Sequence, residues 1–177
     1  MGMDWITRHI DHPLLEGASA SLRAWHSWTG RPPEHLEPVW NLAVLGALFV
    51  ATGHLLSGNA LALSVAAIIM LSLPSGLKLL AAFRKGGHPY GVREYKLLRA
   101  QAIFNRDTRW TLRLMVLIAA GCLPFFSQIS DPIGAMFMLG ASLWFVLTAP
   151  AKFYLEAAEP PVPHDGDPIY RGNLQLG

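Results

Sequence analysis

Two pairs of long apolar runs, set on either side of one strongly basic loop, restrict this chain more than any other feature of its sequence. The loop, Arg84–Arg113, holds Arg84, Lys85, Arg93, Lys96, Arg99, Arg106, Arg109 and Arg113 of the 14 Lys+Arg residues. The turns inside each apolar pair, around Ser57-Gly58-Asn59 and Asp131-Pro132, contain neither Lys nor Arg. A hydrocarbon core about 30 Å thick needs roughly 20 residues of helix at about 1.5 Å each, and all four runs approach that length. Their cations lie on one side only, which places the loop in the cytoplasm and the two tight turns outside.

The expected fold class is therefore an all-α membrane protein, with four transmembrane helices as two tandem hairpins. Each hairpin is preceded by a cytoplasmic amphipathic helix. The first unit covers 1–87, with spans at about 40–57 and 60–83. The second covers 88–155, with spans at about 110–128 and 133–153, and a polar, Pro-rich cytoplasmic tail follows over 156–177. The third span is the shortest in uninterrupted apolar length, and Arg113 near its start is expected to snorkel toward the cytoplasm. With 15% charged residues against 52% hydrophobic, the chain lacks the charge to cover a water-facing surface. A net charge of +2 gives no case for a nucleic-acid partner. One cysteine, Cys122, allows no internal disulfide and no Cys-based zinc site.

Residues 3–28 read as two short helical pieces. Asp11-His12-Pro13 is a helix start, since proline is tolerated in a first turn where its N–H would have no partner. Trp25 and Trp28 suit a headgroup region that offers a ring one apolar and one wet side. A second surface helix is expected from about Tyr90 to Phe104, carrying Arg93, Lys96 and Arg99 toward anionic lipid or a protein partner. Thr29–Pro38 is a proline-rich connector, not helical throughout. Pro74 and Pro150 stand inside the second and fourth runs, where each removes one ladder hydrogen bond and bends its helix.

The two halves share a pattern at an offset of 76 residues. His12-Pro13 and Leu22-Arg23-Ala24 answer to His88-Pro89 and Leu98-Arg99-Ala100, and Pro74 answers to Pro150. The offset shortens in the connector and recovers in the outer turn, where insertions are tolerated. Two units of one orientation would be related by an axis along the membrane normal.

Chemistry is sparse. His54, near the outer end of the first span, is the one cofactor candidate, because a haem iron or chlorin magnesium takes such a histidine axially. Val50 stands where an antenna-type pattern wants a small residue, and no second histidine completes a bis-His haem site, so the ordinary reading is a neutral, hydrogen-bonded imidazole. His164 with Asp165 and Asp167 lies in a tail that preorganises nothing. Asp and Glu are absent from every spanning core, and no nucleophile–base set, phosphate loop or metal cluster is recognisable. Gly46, Gly53, Gly121 and Gly140 let helix backbones approach closely.

These features lead us to expect a non-enzymatic, multi-pass subunit or accessory protein of a larger complex in a bacterial inner membrane, with both termini cytoplasmic. Its partners would be other integral membrane proteins, anionic lipid or further copies of itself, with no cofactor required. Three other readings stay open at this point. They are a small oligomeric carrier or channel built from the duplicated hairpins, a haem or pigment binder using His54, and a membrane-shaping wedge. Spans near 20 residues argue against the last, being long enough to cross.

Overall fold

A computed structural model describes residues 5–53, 59–84, 90–123 and 132–163. Six α-helices account for most of these residues: α1 (His12–Thr29), α2 (Leu36–Gly53), α3 (Asn59–Arg84), α4 (Val92–Thr108), α5 (Trp110–Cys122) and α6 (Pro132–Ala157). No strand occurs among the described residues. The chain is all-helical and has the marks of a membrane protein. Three stretches, Pro33–Thr52, Leu61–Arg84 and Pro132–Ala157, are long and apolar enough to cross a bilayer. The fourth apolar helix, α5, has 13 residues, about 20 Å at the usual rise. The remainder of the expected third span, and His54, His164, Asp165 and Asp167, fall outside the described residues.

Local chemistry explains where the helices begin and end. The expected break at Asp11-His12-Pro13 is absent; the chain runs helically from Trp5 through a widened π-turn, Thr7–Asp11, straight into α1. Such a turn shifts the angular register of the helix face, and here Asp11 is buried. α1 stops at Gly30, whose φ of 65° is open to glycine without strain, and its N–H donates to the His26 carbonyl at 2.8 Å. The proline-rich connector holds one 3-10 turn, Pro33–His35, and α2 starts at Leu36 with Pro38 in its first turn. α4 opens on a one-sided cap, in which the Gly91 N–H donates to the Glu94 carboxylate at 3.2 Å.

α3 packs on α2, α2 on α6, and α6 on α5, while α1 and α4 both lean on α6. One helix, α6, thus supports both α1 and α4. The contact core is small, with Leu15, Tyr154 and Ala157 at its centre and Ala18 and Leu117 against them. Only 6% of the most apolar window of α3 is buried inside the chain, and 11% of that of α6. Most residues of the α3 stretch are exposed in the isolated chain, while α6 is partly covered by the four helices packed on it.

Pro74 and Pro150 stand inside α3 and α6, as the sequence requires. A proline weakens the helical bonding of the carbonyls one turn before it. In both helices the carbonyl three residues back receives a donor from the same place on α2. Trp40 Nε1 donates to the Leu147 carbonyl at 2.8 Å, and Asn41 Nδ2 reaches the Leu71 carbonyl at 3.4 Å. Asn41 also donates to Ser75 Oγ at 2.8 Å and accepts from Trp144 Nε1 at 2.8 Å, tying three helices together. Ser72 instead turns to the Ile69 carbonyl.

Candidate functional site at the basic end of the helices

The largest fully buried side chain in the described structure is a cation, Arg113, at 1% exposure. Instead of snorkelling into the headgroups, it is enclosed in the first turn of α5. Its Nε and Nη2 donate to the two carboxylate oxygens of Asp11 at 3.2 and 3.0 Å. Nη1 donates to the Asn105 and Arg106 carbonyls at 3.1 and 3.2 Å. Those carbonyls belong to the last turn of α4; that of Asn105 also accepts from the Arg109 N–H at 3.0 Å, and Arg113 adds a side-chain donor to the helix end. Tyr154 from α6 donates its hydroxyl to Asp11 Oδ1 at 3.0 Å, and its ring lies 5.7 Å from the Arg113 guanidinium carbon. This planar, two-point pairing is the geometry that arginine favours with carboxylates.

A second set of contacts holds the end of α6. Asn105 Nδ2 donates to the Glu156 carbonyl at 3.1 Å, Arg106 Nη2 to the Ala157 carbonyl at 3.4 Å, and Arg109 pairs with the Glu156 carboxylate at 3.1 Å. The chain then leaves the helix as an extended segment in which Pro160 and Pro161 are buried. The Glu159 N–H donates to Ser19 Oγ on α1 at 3.0 Å, and the Tyr90 hydroxyl donates to the Pro161 carbonyl at 2.7 Å. Burial, and then the nearby Tyr95, Glu34 and Glu94, push the Tyr90 hydroxyl well above its ordinary value of 10.0. Burial raises Tyr95 in the same direction.

Beside these ties lies a cleft of about 560 Å³, bounded by the connector, the last turns of α3, the middle of α4 and the end of α6. Leu22, Leu98 and Leu155 supply apolar wall, and Glu34, Glu37 and Lys78 supply charge. Lys78 Nζ sits 2.9 Å from Glu37 Oε2 while remaining 56% exposed.

Among the residues singled out in the sequence, Arg93 and Lys96 lie exposed on α4, and Arg99 leans on Glu159 at 3.8 Å. Trp25 is half-buried, donating its Nε1 to the Pro32 carbonyl at 3.3 Å, whereas Trp28 is 86% exposed. Gly46, Gly121 and Gly140 have nothing within 4 Å of where a Cβ would stand, so none marks a close helix approach inside this chain. Gly53 ends α2. No group of three or more potential metal ligands occurs among the described residues.

Sequence reasoning missed Asp11, Tyr154, Asn105 and Asn41. Asp11 was concealed as a helix-start signal. Arg113, a lone cation at a span's edge, was the available clue that some carboxylate had to come to it. Chemically the junction is closed: Asp11 already accepts three hydrogen bonds, and no buried side-chain nitrogen or oxygen among the described residues lacks a partner. No protein family, curated protein or solved structure matches the chain.

Proposed function

We propose that the protein is a non-catalytic integral membrane subunit, or an accessory protein, of a larger inner-membrane complex. The observation carrying this reading is the contrast between its two surfaces. Buried polar groups at the basic end are engaged with one another, leaving no poised acid, base or nucleophile. The apolar face of α3 is mostly exposed in the isolated chain and few residues of α6 are fully buried, with Gly46, Gly121 and Gly140 open on α2, α5 and α6. Small residues on open faces let a neighbouring helix approach closely.

In this reading α5, with the residues after it, forms the third of the four spans of two tandem hairpins. It leaves the same Arg113–Tyr154 junction at which α6 ends, so the chain between them has to reach the far end of α6. Both termini and the basic helix α4 face the cytoplasm, where Arg93 and Lys96 meet anionic lipid and Trp28 enters the interface. Helices α1 and α4 are the amphipathic elements: each buries one narrow stripe, Leu15–Ser19–Leu22 in α1 and Tyr95–Ala102–Asn105 in α4. The 76-residue pattern is an internal duplication whose halves have since diverged in packing.

Extraction in mild detergent, followed by affinity recovery and quantification of what accompanies the protein, tests the proposal. Stoichiometric recovery with one set of larger membrane proteins is expected. A self-contained homo-oligomer would replace this reading with the carrier.

A further inference from the structure

The cleft beside Lys78 combines volume and charge in a way that the lateral-packing role does not require. Each spanning stretch contributes to it only through its terminal turns: Glu37 and Pro38 at the start of one, Lys78 to Ala82 at the end of the second, Leu155 and Glu156 at the end of the third. If those stretches cross the bilayer, the cleft stands at headgroup depth on the basic side. Its volume of about 560 Å³ is within the range of small-molecule sites, roughly 300–1,000 Å³.

The charges inside contrast with their surroundings. The outer faces near it carry exposed cations, Arg84 on α3 and Arg93 and Lys96 on α4, whereas the recess presents Glu34, Glu37 and Glu156 with the single cation Lys78. Glu156 is drawn to Arg109 and Glu37 to Lys78. Glu34 has no ion partner among the described residues, and Lys78 keeps half its surface free for a second contact. His35 and Gln101 complete the polar lining. The recess thus offers one open carboxylate, one reachable ammonium and leucine walls. A bulk anionic lipid would be repelled by the carboxylates, and a purely apolar chain would leave Glu34 unused.

We propose that this cleft binds a zwitterionic phospholipid whose headgroup carries a primary ammonium. The ammonium donates to Glu34, the phosphate accepts from Lys78, and the glycerol region lies along Leu22, Leu98 and Leu155. A quaternary ammonium has no N–H to donate, so a choline headgroup binds more weakly. The inference rests on the membrane reading above.

The test uses the full chain in mild detergent, exchanged against mixed micelles of phosphatidylethanolamine, phosphatidylcholine and phosphatidylglycerol with identical acyl chains. Retained lipid is read by native mass spectrometry. Retention of the ethanolamine lipid about tenfold over the choline lipid is expected, the size of one charge-assisted hydrogen bond. Glu34→Gln should abolish that preference with the folded chain's thermal midpoint unchanged, and Lys78→Gln, which also removes the pair with Glu37, should weaken retention of both lipids while the chain stays folded. Equal retention of the two headgroups, preference for the glycerol lipid, a protein segment found in the cleft, or a Glu34→Gln chain that keeps its selectivity would each overturn the proposal. Recovery of the chain in a detergent-free soluble extract would instead overturn the membrane reading itself.

Discussion

Asp11 and Arg113, 102 positions apart in the chain, meet as a two-point ion pair at 3.2 and 3.0 Å with both side chains almost wholly excluded from solvent. The pair binds the π-turn before α1 to the first turn of α5, and through Tyr154 to the end of α6. Removing one partner strands a buried charge, at about 3–5 kcal/mol, whereas replacing both with apolar groups is often neutral or stabilising. Asp11→Leu and Arg113→Met are therefore expected to lower the thermal midpoint strongly when separate and to recover most of it when combined. Circular dichroism melts in detergent check this; additive single effects would show that the two side chains do not depend on each other.

Tyr154→Phe isolates the third member of that junction. The ring and its contact with the guanidinium remain, while the hydroxyl's bond to the Asp11 carboxylate is lost. A hydrogen bond to a charged group contributes about 1.5–3 kcal/mol, so the loss should be smaller than that of Asp11→Leu. The same substitution placed on the Asp11→Leu background should have almost no effect, since the acceptor is already gone. The melts used for the ion pair measure both.

This junction also shows how far the sequence could be read. The apolar runs, both internal prolines and the helical character of His12–Thr29 and Val92–Thr108 were legible because hydrophobic length and Pro placement are local properties. The Asp11–Arg113 pair was not, because it depends on a π-turn that rotates one side chain inward and on two elements far apart in sequence. Asn41 was concealed similarly: a single amide in an apolar run does not announce that Ser75 and Trp144 will flank it. Gly46, Gly121 and Gly140 express a capacity of their helices for close approach, with nothing within 4 Å of where a Cβ would stand inside the chain.

Asn41→Leu should release Ser75 and the Trp144 indole at once and remove the donor to the Leu71 carbonyl near Pro74. Interhelical hydrogen bonds within membranes contribute on average about 0.6 kcal/mol and at most roughly 1.7, so a loss of about 1–2 kcal/mol is expected from the combined contacts. Trp144 fluorescence provides a second readout in a variant whose other tryptophans are replaced by phenylalanine. Leaving the indole N–H without its acceptor should change its emission maximum; an unaltered spectrum and melt would remove Asn41 from this role.

Tyr90 should make the extended segment after α6 sensitive to alkaline pH. Its folded-state pKa is raised above the ordinary 10.0, chiefly by burial, so the folded form holds the phenolic proton more tightly than the unfolded form does. That contribution is fully present below pH 10 and declines as pH rises further, because a phenolate cannot donate to the Pro161 carbonyl. Limited proteolysis between pH 9 and 11 should show cleavage around Val162 accelerating at the top of the range. Tyr90→Phe should cleave faster at pH 9 and show a flatter pH dependence. Parallel profiles for the two proteins would assign the alkaline change elsewhere.

The four-span arrangement yields the prediction with the widest consequences. In a Cys122→Ser background, single cysteines at Asn59, Gly91 and Asp131 report the side of the membrane at each turn. Asn59 opens α3 and Gly91 caps α4, so opposite labelling of these two by a membrane-impermeant maleimide establishes that α3 crosses. Asp131 precedes the first residue of α6, a helix of 26 residues, or about 39 Å at the usual rise. The opposite end of α6 is held at the Arg113 junction, on the same side as the end of α4. Asp131 should therefore label from outside intact cells together with Asn59, and Gly91 only after the bilayer is opened. Labelling of Asp131 together with Gly91 would mean that neither α5 nor α6 crosses the bilayer, and the paired-hairpin description would have to be replaced.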